Sequence, residues 1–364
     1  MGHSSDLDIL LLAPVPPPLG GISVHVERLV PILKAQGLRV GVLNHFGSSA
    51  QPYVVGSLNR NPLKYSLLPL RFSAAVVHYH HASWPQLVAV AASRAFKRRS
   101  TYMVTVHAGD MAKHFPQLIS RNVLTRWITR WSLRRFDVIV LVSPVVLECF
   151  RHAAPHARIE VVPAFLPSPA TAGYGDELDD FLASGSIVSA AAYGIQFLPD
   201  GTELYGLDTL VDAFVEVARE RDDSKLLVFM AHPTSAAQQR THLDSLVGRL
   251  RAQGLGPRVR FEVGRRLSPA LRSTSVFVRP TRADGDALSV REAQAMGVPV
   301  IASDAVPRPD GVEVFRTGDV HDLANRMRAM MAVETSRTSR GDEDTTPFRD
   351  ALLAVYRFAL DRPR

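Results

Sequence analysis

Unbroken apolar runs constrain the fold of this 364-residue chain more than any other feature. Residues 8–13 read Asp-Ile-Leu-Leu-Leu-Ala, and comparable runs recur at 74–79, 101–107 and 137–143. A strand with apolar side chains on both faces is typical of a parallel sheet that helices cover on both sides. We therefore predict parallel strands here. Polar or glycine residues follow each run, at the strand end where open α/β sheets bind ligands.

Helical patterns alternate with these strands. Residues 23–36 place Val26, Leu29, Val30 and Leu33 on one side of a helix. Strands that alternate with helices through short connections predict a doubly wound α/β sheet. The alternation stops after residue 163 and resumes at 187, so the chain is predicted to hold two Rossmann-like domains, in line with a length of roughly 150 residues per domain.

The domain boundaries follow from composition. Residues 167–175 are rich in proline, glycine and serine, and residues 334–346 are polar with few apolar side chains. We predict an N-terminal Rossmann-like domain over 1–165, a linker over 166–185, a C-terminal Rossmann-like domain over 186–335, a mobile polar segment over 336–346 and a C-terminal helix over 347–364. Two such domains facing each other predict a cleft between them for a small-molecule ligand.

Composition narrows the class of protein. Hydrophobic residues make up 46% of the chain, which excludes a disordered protein. The single cysteine, Cys149, cannot form an internal disulfide, and the polar, acidic start shows no secretory signal, so we expect a cytoplasmic protein. A net charge of +7 favours anionic partners in general. Nucleic acid has no other support in the sequence, and we predict no nucleic-acid partner.

Two segments carry the strongest chemical signals. Gly20 and Gly21 lie between the first strand and the first helix, where free amides favour an anion such as a diphosphate, although the G-x-G-x-x-G spacing of dinucleotide-binding proteins is absent. Asp284 and Glu292 stand eight positions apart, and Glu292 lies inside a helix predicted to start near Ser289. Carboxylates accept hydrogen bonds from vicinal sugar hydroxyls, although a simple acidic helix start would have the same composition.

Three motifs in this order identify a resemblance. They are Gly20-Gly21, the segment Val106-His107-Ala108-Gly109-Asp110, and Asp284-x7-Glu292 continuing through Gly297-Val298-Pro299 to Asp304. The chain resembles the retaining glycosyltransferases of family 4 over nearly its whole length. This resemblance implies the GT-B fold, with two facing Rossmann-like domains and a cleft between them.

The resemblance also implies roles for individual residues. Asp284 would lie near the transferred sugar, Glu292 would hold the ribose hydroxyls of the nucleotide, and His107 would act beside the reacting sugar. The distal phosphate would be held by amides at Asp286, Ala287 and Leu288, together with Gly20 and Gly21. Asp110 would lie on the acceptor side. The resemblance implies neither a metal nor another cofactor.

The chain departs from the family pattern in two ways. The first acid is Asp284 where the family usually has glutamate. The arginine and lysine that commonly neutralise the diphosphate are absent, and Tyr205 stands where the lysine is expected. A leaving diphosphate needs charge stabilisation. The candidate substitutes are Arg265, Arg266, Arg279 and Arg282. The alternative interpretation of these residues is that they are solvated surface arginines.

We therefore predict a retaining glycosyltransferase that moves a sugar from a UDP- or GDP-sugar to a glycan hydroxyl. The acceptor is expected to be an oligosaccharide or a lipid-linked one at the inner membrane face, in bacterial exopolysaccharide, capsule or lipopolysaccharide assembly. One alternative is a degenerate, non-catalytic GT-B protein that binds a glycan or a partner transferase. A second alternative is a sugar-nucleotide epimerase.

Two further patterns have competing interpretations. In residues 121–136, Leu124, Trp127, Ile128 and Trp131 share one stripe, and arginines form another. Such a helix either contacts an anionic membrane or packs its tryptophans on the sheet with a solvated basic back, and its pattern favours the second. The histidines at 78, 80 and 81 lack a nearby acid, so we predict that they line a cleft or the core and bind no zinc.

Overall fold

The computed structural model describes residues 6–80, 83–107, 122–166, 173–284, 287–332 and 346–362. The chain divides into two compact units. The first contains Met1–Pro17, Gly21–Leu166 and the C-terminal Thr345–Arg364, and the second contains Pro18–Gly20 and Pro167–Asp344. Of the segment predicted to be mobile, 336–345 lies outside the described residues, and the helix after it begins at Thr346.

The first unit is a seven-stranded sheet in which every neighbouring pair is parallel, with the order β3-β2-β1-β4-β5-β6-β7. Its strands are β1 (Leu7–Ala13), β2 (Val40–Asn44), β3 (Val54–Ser57), β4 (Ala74–His80), β5 (Thr101–Val106), β6 (Val138–Leu141) and β7 (Arg158–Val161). Its helices are α1 (Gly21–Ala35), α2 (Pro62–Leu67), α3 (Trp84–Ser93), α4 (Val123–Leu133), α5 (Leu147–Ala153) and α12 (Thr346–Asp361).

Strand β1 explains why its sequence is apolar without interruption. Ile9 and Leu11 pack into the core on one face of the sheet, and Leu10 and Leu12 pack into the core on the other. Both faces are covered because consecutive strand residues point to opposite sides. On the Ile9 face the cover consists of α1 and the C-terminal helix α12, which brings Tyr356 into the same core.

The second unit is a six-stranded parallel sheet with the order β10-β9-β8-β11-β12-β13. Its strands are β8 (Ser186–Ala192), β9 (Ser224–Met230), β10 (Val259–Val263), β11 (Thr274–Arg279), β12 (Val300–Ser303) and β13 (Val312–Phe315). Its helices are α6 (Glu177–Leu182), α7 (Leu207–Ala218), α8 (Ala237–Ala252), α9 (Ser268–Leu271), α10 (Leu288–Ala295) and α11 (Val320–Ala332).

The stretch predicted as a linker contains a helix of the second unit. Asp176 caps α6 by accepting a hydrogen bond from the Leu178 amide, and Leu178, Phe181 and Leu182 are buried in the core of this unit. The helical spacing of these three apolar residues lets one side of α6 pack into the core, although the residues before the helix are typical of turns.

Two Rossmann-like α/β units agree with the predicted fold class, which is confirmed. In the first sheet β1 is the neighbour of β4, and in the second sheet β8 is the neighbour of β11, although the two strands of each pair are not consecutive in sequence. The strand order therefore reverses between these two strands. Loops at the carboxyl ends of such neighbours form the ligand-binding edge of open α/β sheets. Within the described ranges, no helix combines the length and apolar character that crossing a bilayer requires.

Candidate active site

Three histidines gather at the carboxyl end of the first sheet. His80 is the last residue of β4, and His107 directly follows β5. Because β4 and β5 are neighbours, His80 Nδ1 lies 3.0 Å from His107 Nε2. His25 on α1 completes the group, and the three ring centroids are 5.3, 5.3 and 5.4 Å apart.

Hydrogen bonds fix the state of two neighbouring histidines. His25 Nδ1 lies 2.7 Å from the carbonyl oxygen of Ala164. Because a carbonyl oxygen only accepts hydrogen bonds, Nδ1 carries the ring proton and donates a hydrogen bond to it. His78 has partners on both nitrogens: Tyr356 Oη lies 2.5 Å from Nδ1, and Thr105 Oγ1 lies 2.8 Å from Nε2. By contrast, the buried Nε2 of His80 has no hydrogen-bond partner in the part of the chain that is described.

Burial keeps these histidines neutral. Desolvation lowers the pKa of His25 to about 4, although its hydrogen bond to Ala164 opposes the shift, and it lowers the pKa of His78 to about 3. The pKa of His80 falls well below 6.5 for the same reason, with His78 and His107 adding to the effect. At neutral pH, the side chains of His25, His78 and His80 are therefore uncharged.

The predicted residues of the first unit have the following positions. His107 is half-buried in the histidine group. Gly21 is the first residue of α1, and a Cβ built there would meet no atom within 4 Å, so no neighbour demands a glycine. Gly20 directly precedes it, and Asp110 lies outside the described residues. His25 is not among the residues predicted from sequence, where its only signal is a histidine on the apolar side of the helix after Gly20-Gly21.

Asp284 lies at the carboxyl end of the second sheet, held by two arginines. Its oxygens accept hydrogen bonds from Arg279 Nε and Nη2, both at 2.9 Å, and from Arg308 Nη1 at 3.0 Å. All three side chains are buried: 8% of Asp284 and 3% of Arg308 is exposed. Two guanidinium groups and one carboxylate leave one net positive charge.

The strand order explains why this cluster forms. Arg279 ends β11 and also donates to the Ala191 carbonyl on β8, at 2.7 Å. Arg308 follows β12 and donates to the Ser303 carbonyl at 2.8 Å. Burial would raise the pKa of Asp284, but the two guanidinium groups outweigh it and hold that pKa below its usual value. The carboxylate is therefore ionised, while both arginines stay charged.

Three of the four cations proposed as substitutes, Arg265, Arg279 and Arg282, are paired with carboxylates. Arg282 makes a bidentate pair with Asp208, at 2.9 and 3.0 Å. Arg265 pairs with Asp176 at 2.6 Å. The Arg279 guanidinium lies over the ring of Tyr205, 5.2 Å from its centroid, so a cation stacks on the residue that replaces the expected lysine. Arg266 accepts a hydrogen bond from Tyr174 Oη with its carbonyl oxygen. Arg308, which sequence reasoning missed, is a second cation beside Asp284.

Two helix starts in the second unit differ in their capping. At the start of α7, buried Glu203 accepts hydrogen bonds from the Tyr205 and Leu207 amides, both at 2.8 Å, and burial raises the pKa of this carboxyl. At the start of α10, Ala287 is the capping residue and supplies no side-chain hydrogen bond. The Glu203 carboxylate thus occupies amides at the start of α7, whereas the capping residue of α10 has no side chain to do so, and an uncapped helix start favours an anion.

The remaining predicted donor residues belong to α10 or its approach. Leu288 begins the helix after Ala287, and Glu292 is buried one turn further along. Asp286 lies outside the described residues. The structure thus brings Asp284, Ala287, Leu288 and Glu292 together on one loop and helix, whereas His107 belongs to the first unit.

Helix α4 corrects an expectation. Its buried side is formed by Thr129, Ser132 and Leu133, not by the predicted tryptophan stripe. Thr129 Oγ1 and Ser132 Oγ donate to carbonyl oxygens four residues earlier, which satisfies them inside the protein. Leu124 and Trp127 are therefore 66% and 62% exposed, and the interpretation in which they pack on the sheet is wrong. Trp131 is partly buried against the core.

Comparison with known proteins defines the class. The glycosyltransferase family 4 model matches residues 19–166, and the model of the glycosyl transferases of group 1 matches residues 200–332. With two Rossmann-like units, these matches define a GT-B glycosyltransferase, and the recognition made from the sequence is confirmed. The chain belongs to glycosyltransferase family 4, group 1.

Solved structures share the fold at low identity. Sucrose-phosphate synthase from Thermosynechococcus elongatus is 16% identical, with a TM-score of 0.59 over 97% of this chain and 96% of that one. Anabaena HepE in complex with UDP and glucose is 16% identical, with a TM-score of 0.62 over 96% and 98%. The UDP-forming α,α-trehalose-phosphate synthase from Burkholderia xenovorans, in complex with glucose-6-phosphate, is 14% identical, with a TM-score of 0.63 over 96% of each chain. No protein with a curated description matches the chain.

Proposed function

We propose that this glycosyltransferase binds a nucleoside-diphosphate sugar in its second unit and transfers the sugar to a glycan hydroxyl with retention of configuration. The observation that carries the proposal is the Asp284 cluster beside α10. One net positive charge, buried at the carboxyl edge of a parallel sheet, stabilises a diphosphate that gains negative charge as its sugar leaves. UDP and GDP are the proposed nucleotides, and the UDP complex of HepE supports UDP.

Each predicted residue keeps its role as part of this proposal. The amides at the start of α10, around Asp286, Ala287 and Leu288, take the distal phosphate, since the capping residue Ala287 has no side chain that could occupy them. Glu292 takes the ribose hydroxyls, two donors for two oxygens. Asp284 keeps the two arginines in place next to the transferred sugar. His107 acts on the sugar, Gly20 and Gly21 support the phosphates, and Asp110 lies on the acceptor side.

The reaction balances without a further reactant. The bond between the anomeric carbon and the diphosphate oxygen breaks, and a bond to the acceptor oxygen forms on the same face of the sugar. The acceptor proton passes to an oxygen of the departing phosphate. No residue of the chain is assigned as an independent general base, so this proposal assigns to the protein positioning and electrostatic stabilisation.

The acceptor proposal rests on α4. Residues 123–135 contain four arginines and no acidic residue, and Leu124 and Trp127 extend from the same helix into solvent. Exposed tryptophan and leucine beside arginine match an anionic bilayer surface. We propose a lipid-linked oligosaccharide acceptor at the inner face of a membrane, in bacterial exopolysaccharide, capsule or lipopolysaccharide assembly, with the protein cytoplasmic and bound to that face.

Calorimetric titration with UDP, GDP and their sugars tests the donor site. We expect binding of one nucleotide class, at least about tenfold weaker in Glu292→Ala because two ribose hydrogen bonds are lost. Asp284→Asn is expected to reduce turnover more than binding. Glu220→Ala, which removes an exposed carboxylate of the same unit, is the matched control. If Glu292→Ala binds and uses the donor like the wild type, the ribose assignment is wrong.

The same assay separates the alternatives. A degenerate, non-catalytic protein would bind no UDP- or GDP-sugar, and the absence of binding would overturn the proposal. Product analysis without an acceptor would reveal an epimerase as a changed sugar-nucleotide. Glucose 6-phosphate belongs in the acceptor panel because the Burkholderia xenovorans synthase, which has this fold, was solved in complex with it.

Co-sedimentation with vesicles tests the membrane contact. Binding to phosphatidylglycerol vesicles, but not to phosphatidylcholine vesicles, is expected to weaken with salt. Arg126→Glu and Arg130→Glu should each lose several-fold, since one arginine near an anionic surface contributes about 1 kcal/mol. Trp127→Ala should also weaken binding, whereas Leu63→Ala, an exposed apolar residue on α2, should not. Equal binding to both vesicle types would contradict the contact.

A further inference from the structure

A second histidine lies directly beside the one assigned to the sugar. His80 ends β4, His107 follows β5, and His80 Nδ1 lies 3.0 Å from His107 Nε2. We infer that His80 is a positioning residue for His107: its Nδ1–H donates a hydrogen bond to His107 Nε2, which places the ring proton of His107 on Nδ1 as a donor for the transferred sugar. The inference rests on the proposed role of His107 beside that sugar.

The geometry of the pair is that of a directed hydrogen bond. The ring centroids of His80 and His107 are 5.3 Å apart, and the two nitrogens are 3.0 Å apart. The difference equals twice the distance from an imidazole nitrogen to the centre of its ring, so both nitrogens lie on the line between the ring centres. An N–H and a lone pair point away from their ring centres, and this arrangement aligns them.

The direction of the hydrogen bond follows from the other nitrogen of His80. Burial lowers the pKa of His80 well below 6.5, so the neutral ring carries one proton, on Nδ1 or on Nε2. Among the described residues, the buried Nε2 has no hydrogen-bond partner. A proton there would be a buried donor without an acceptor, which folded proteins avoid more strictly than an unused acceptor. The proton therefore lies on Nδ1, the nitrogen that faces His107.

The hydrogen bond at one ring nitrogen of a histidine decides the state of the other. Because His107 Nε2 accepts from His80, it keeps its lone pair, and the single proton of a neutral His107 lies on Nδ1. In the opposite direction, His107 would donate from Nε2 and keep only a lone pair on Nδ1. His80 thus decides whether His107 offers a sugar oxygen a donor or an acceptor.

Packing holds the ring of His80 in this position. His80 is completely buried, and the ring of His78 lies against it with the centroids 4.2 Å apart. His78 is itself fixed on both nitrogens, by Tyr356 and by Thr105. A side chain that packing and hydrogen bonds lock in place can hold a neighbouring functional group within the narrow geometry that catalysis requires.

A neutral partner suits the proposed reaction better than an acidic one. A carboxylate beside a histidine favours the imidazolium form. A sugar gains oxocarbenium character as its glycosidic bond breaks, so an imidazolium beside it would oppose the reaction. His80, which burial keeps neutral, orients His107 without promoting its protonation.

Nitrogen NMR of the full-length protein tests the tautomer without any substrate. In protein labelled with ¹⁵N-histidine, ring nitrogens with and without a proton are distinguished, and His107→Gln assigns the signals of His107. We expect wild-type His107 to be protonated on Nδ1 and unprotonated on Nε2. His80→Leu should lose this preference, whereas His80→Asn should keep it, because the asparagine amide can donate from near the Nδ1 position. A wild-type proton on Nε2 would overturn the inference.

Turnover provides the second measurement. Hydrolysis of the UDP- or GDP-sugar that binds in calorimetry is transfer to water, so it follows turnover without an acceptor. His80→Leu should lower kcat by about 10- to 100-fold because the reacting groups lose their alignment, with the KM for the donor close to wild type. His80→Asn should recover most of the loss. Tyr356→Phe removes a buried hydrogen bond to His78 instead, so it controls for lost stability and should turn over like the wild type.

The outcomes separate this inference from the proposed function. Wild-type turnover in folded His80→Leu, or a loss of donor binding as large as the loss of turnover, would show that His80 does not position His107 for the reaction. Absence of binding for every UDP- and GDP-sugar would overturn the proposed function instead. The tautomer of wild-type His107 is measured in either case, because it requires no donor.

Discussion

The carboxyl edges of the two sheets carry different kinds of side chain, neutral histidines in the first unit and an ionised arginine–aspartate cluster in the second. In the first unit, His25 and His80 are buried and neutral, and His107 is half-buried beside them. In the second unit, Asp284 is ionised between Arg279 and Arg308, and every one of these groups is paired. Both edges belong to parallel sheets whose strand order reverses, so the backbone does not dictate the chemistry.

The contrast teaches which ligand each edge can hold. Neutral imidazoles offer hydrogen-bond donors and lone pairs, which suit sugar hydroxyls. A buried cluster with one net positive charge suits an anion and repels a cation. The fold provides the location in both units, and the side chains after the strands decide what binds.

The largest expected loss of stability comes from removing the charge of Asp284 at the edge of the second sheet. Asp284→Asn leaves two buried guanidinium groups without a countercharge, and we expect a loss of about 3–5 kcal/mol in the free energy of unfolding of the second unit. Urea unfolding measures the loss, and hydrogen exchange assigns it to the second sheet. Asp176→Asn is the control because its ion pair with Arg265 lies at the surface, where water screens it, and the loss of stability should be much smaller. Equal losses in the two variants would contradict the burial argument.

A smaller loss of stability is expected when the hydrogen bond to His78 in the first unit is removed. Tyr356→Phe removes the hydroxyl that bonds to His78 Nδ1 and leaves a buried nitrogen unpaired, so we expect a loss of about 1–3 kcal/mol. Tyr65→Phe is the matched control, since the buried Tyr65 hydroxyl has no hydrogen-bond partner among the described residues. That change should be neutral or stabilising. Thermal unfolding of both variants decides the comparison, and a larger loss for Tyr65→Phe would refute it.

The smallest effect is the pH dependence of the charged edge. The folded pKa of Asp284 lies below its ordinary value of 3.8, so its contribution is complete above that value and is lost as pH falls through the lower, folded pKa. The stability difference between wild type and Asp284→Asn should therefore be constant from neutral pH to about pH 4. Below that it should shrink by at most about 1.4 kcal/mol per pH unit. A difference that already shrinks near pH 6 would place the folded pKa too high.

The strands of both sheets could be predicted because burial on two faces leaves an unbroken apolar run. The cluster around Asp284 could not, since Arg308 lies 24 positions later in the chain. That contact depends on β11 and β12 being neighbours, and no local pattern encodes their order. His25 was missed for the same reason, because its partners follow strands far along the sequence.

Helix α4 shows a different limit. A period of three to four residues identifies two stripes but not which stripe faces the sheet. Thr129 and Ser132 can be buried because each bonds to its own helix, and Trp84 Nε1 donates to Thr129 Oγ1 at 2.9 Å. Hydrophobicity alone assigns the wrong stripe to the interior whenever small hydroxyl residues are satisfied locally.

Helix α12 has a consequence for biosynthesis. The ribosome completes the seven strands of the first sheet well before it reaches residues 346–361, yet Leu352, Val355 and Tyr356 belong to the core beside β1. Until those residues leave the exit tunnel, one side of the nascent sheet lacks part of its cover, and a chaperone that shields apolar surface has its binding target there. A stop codon a few dozen positions early would therefore damage the half of the protein that was translated first.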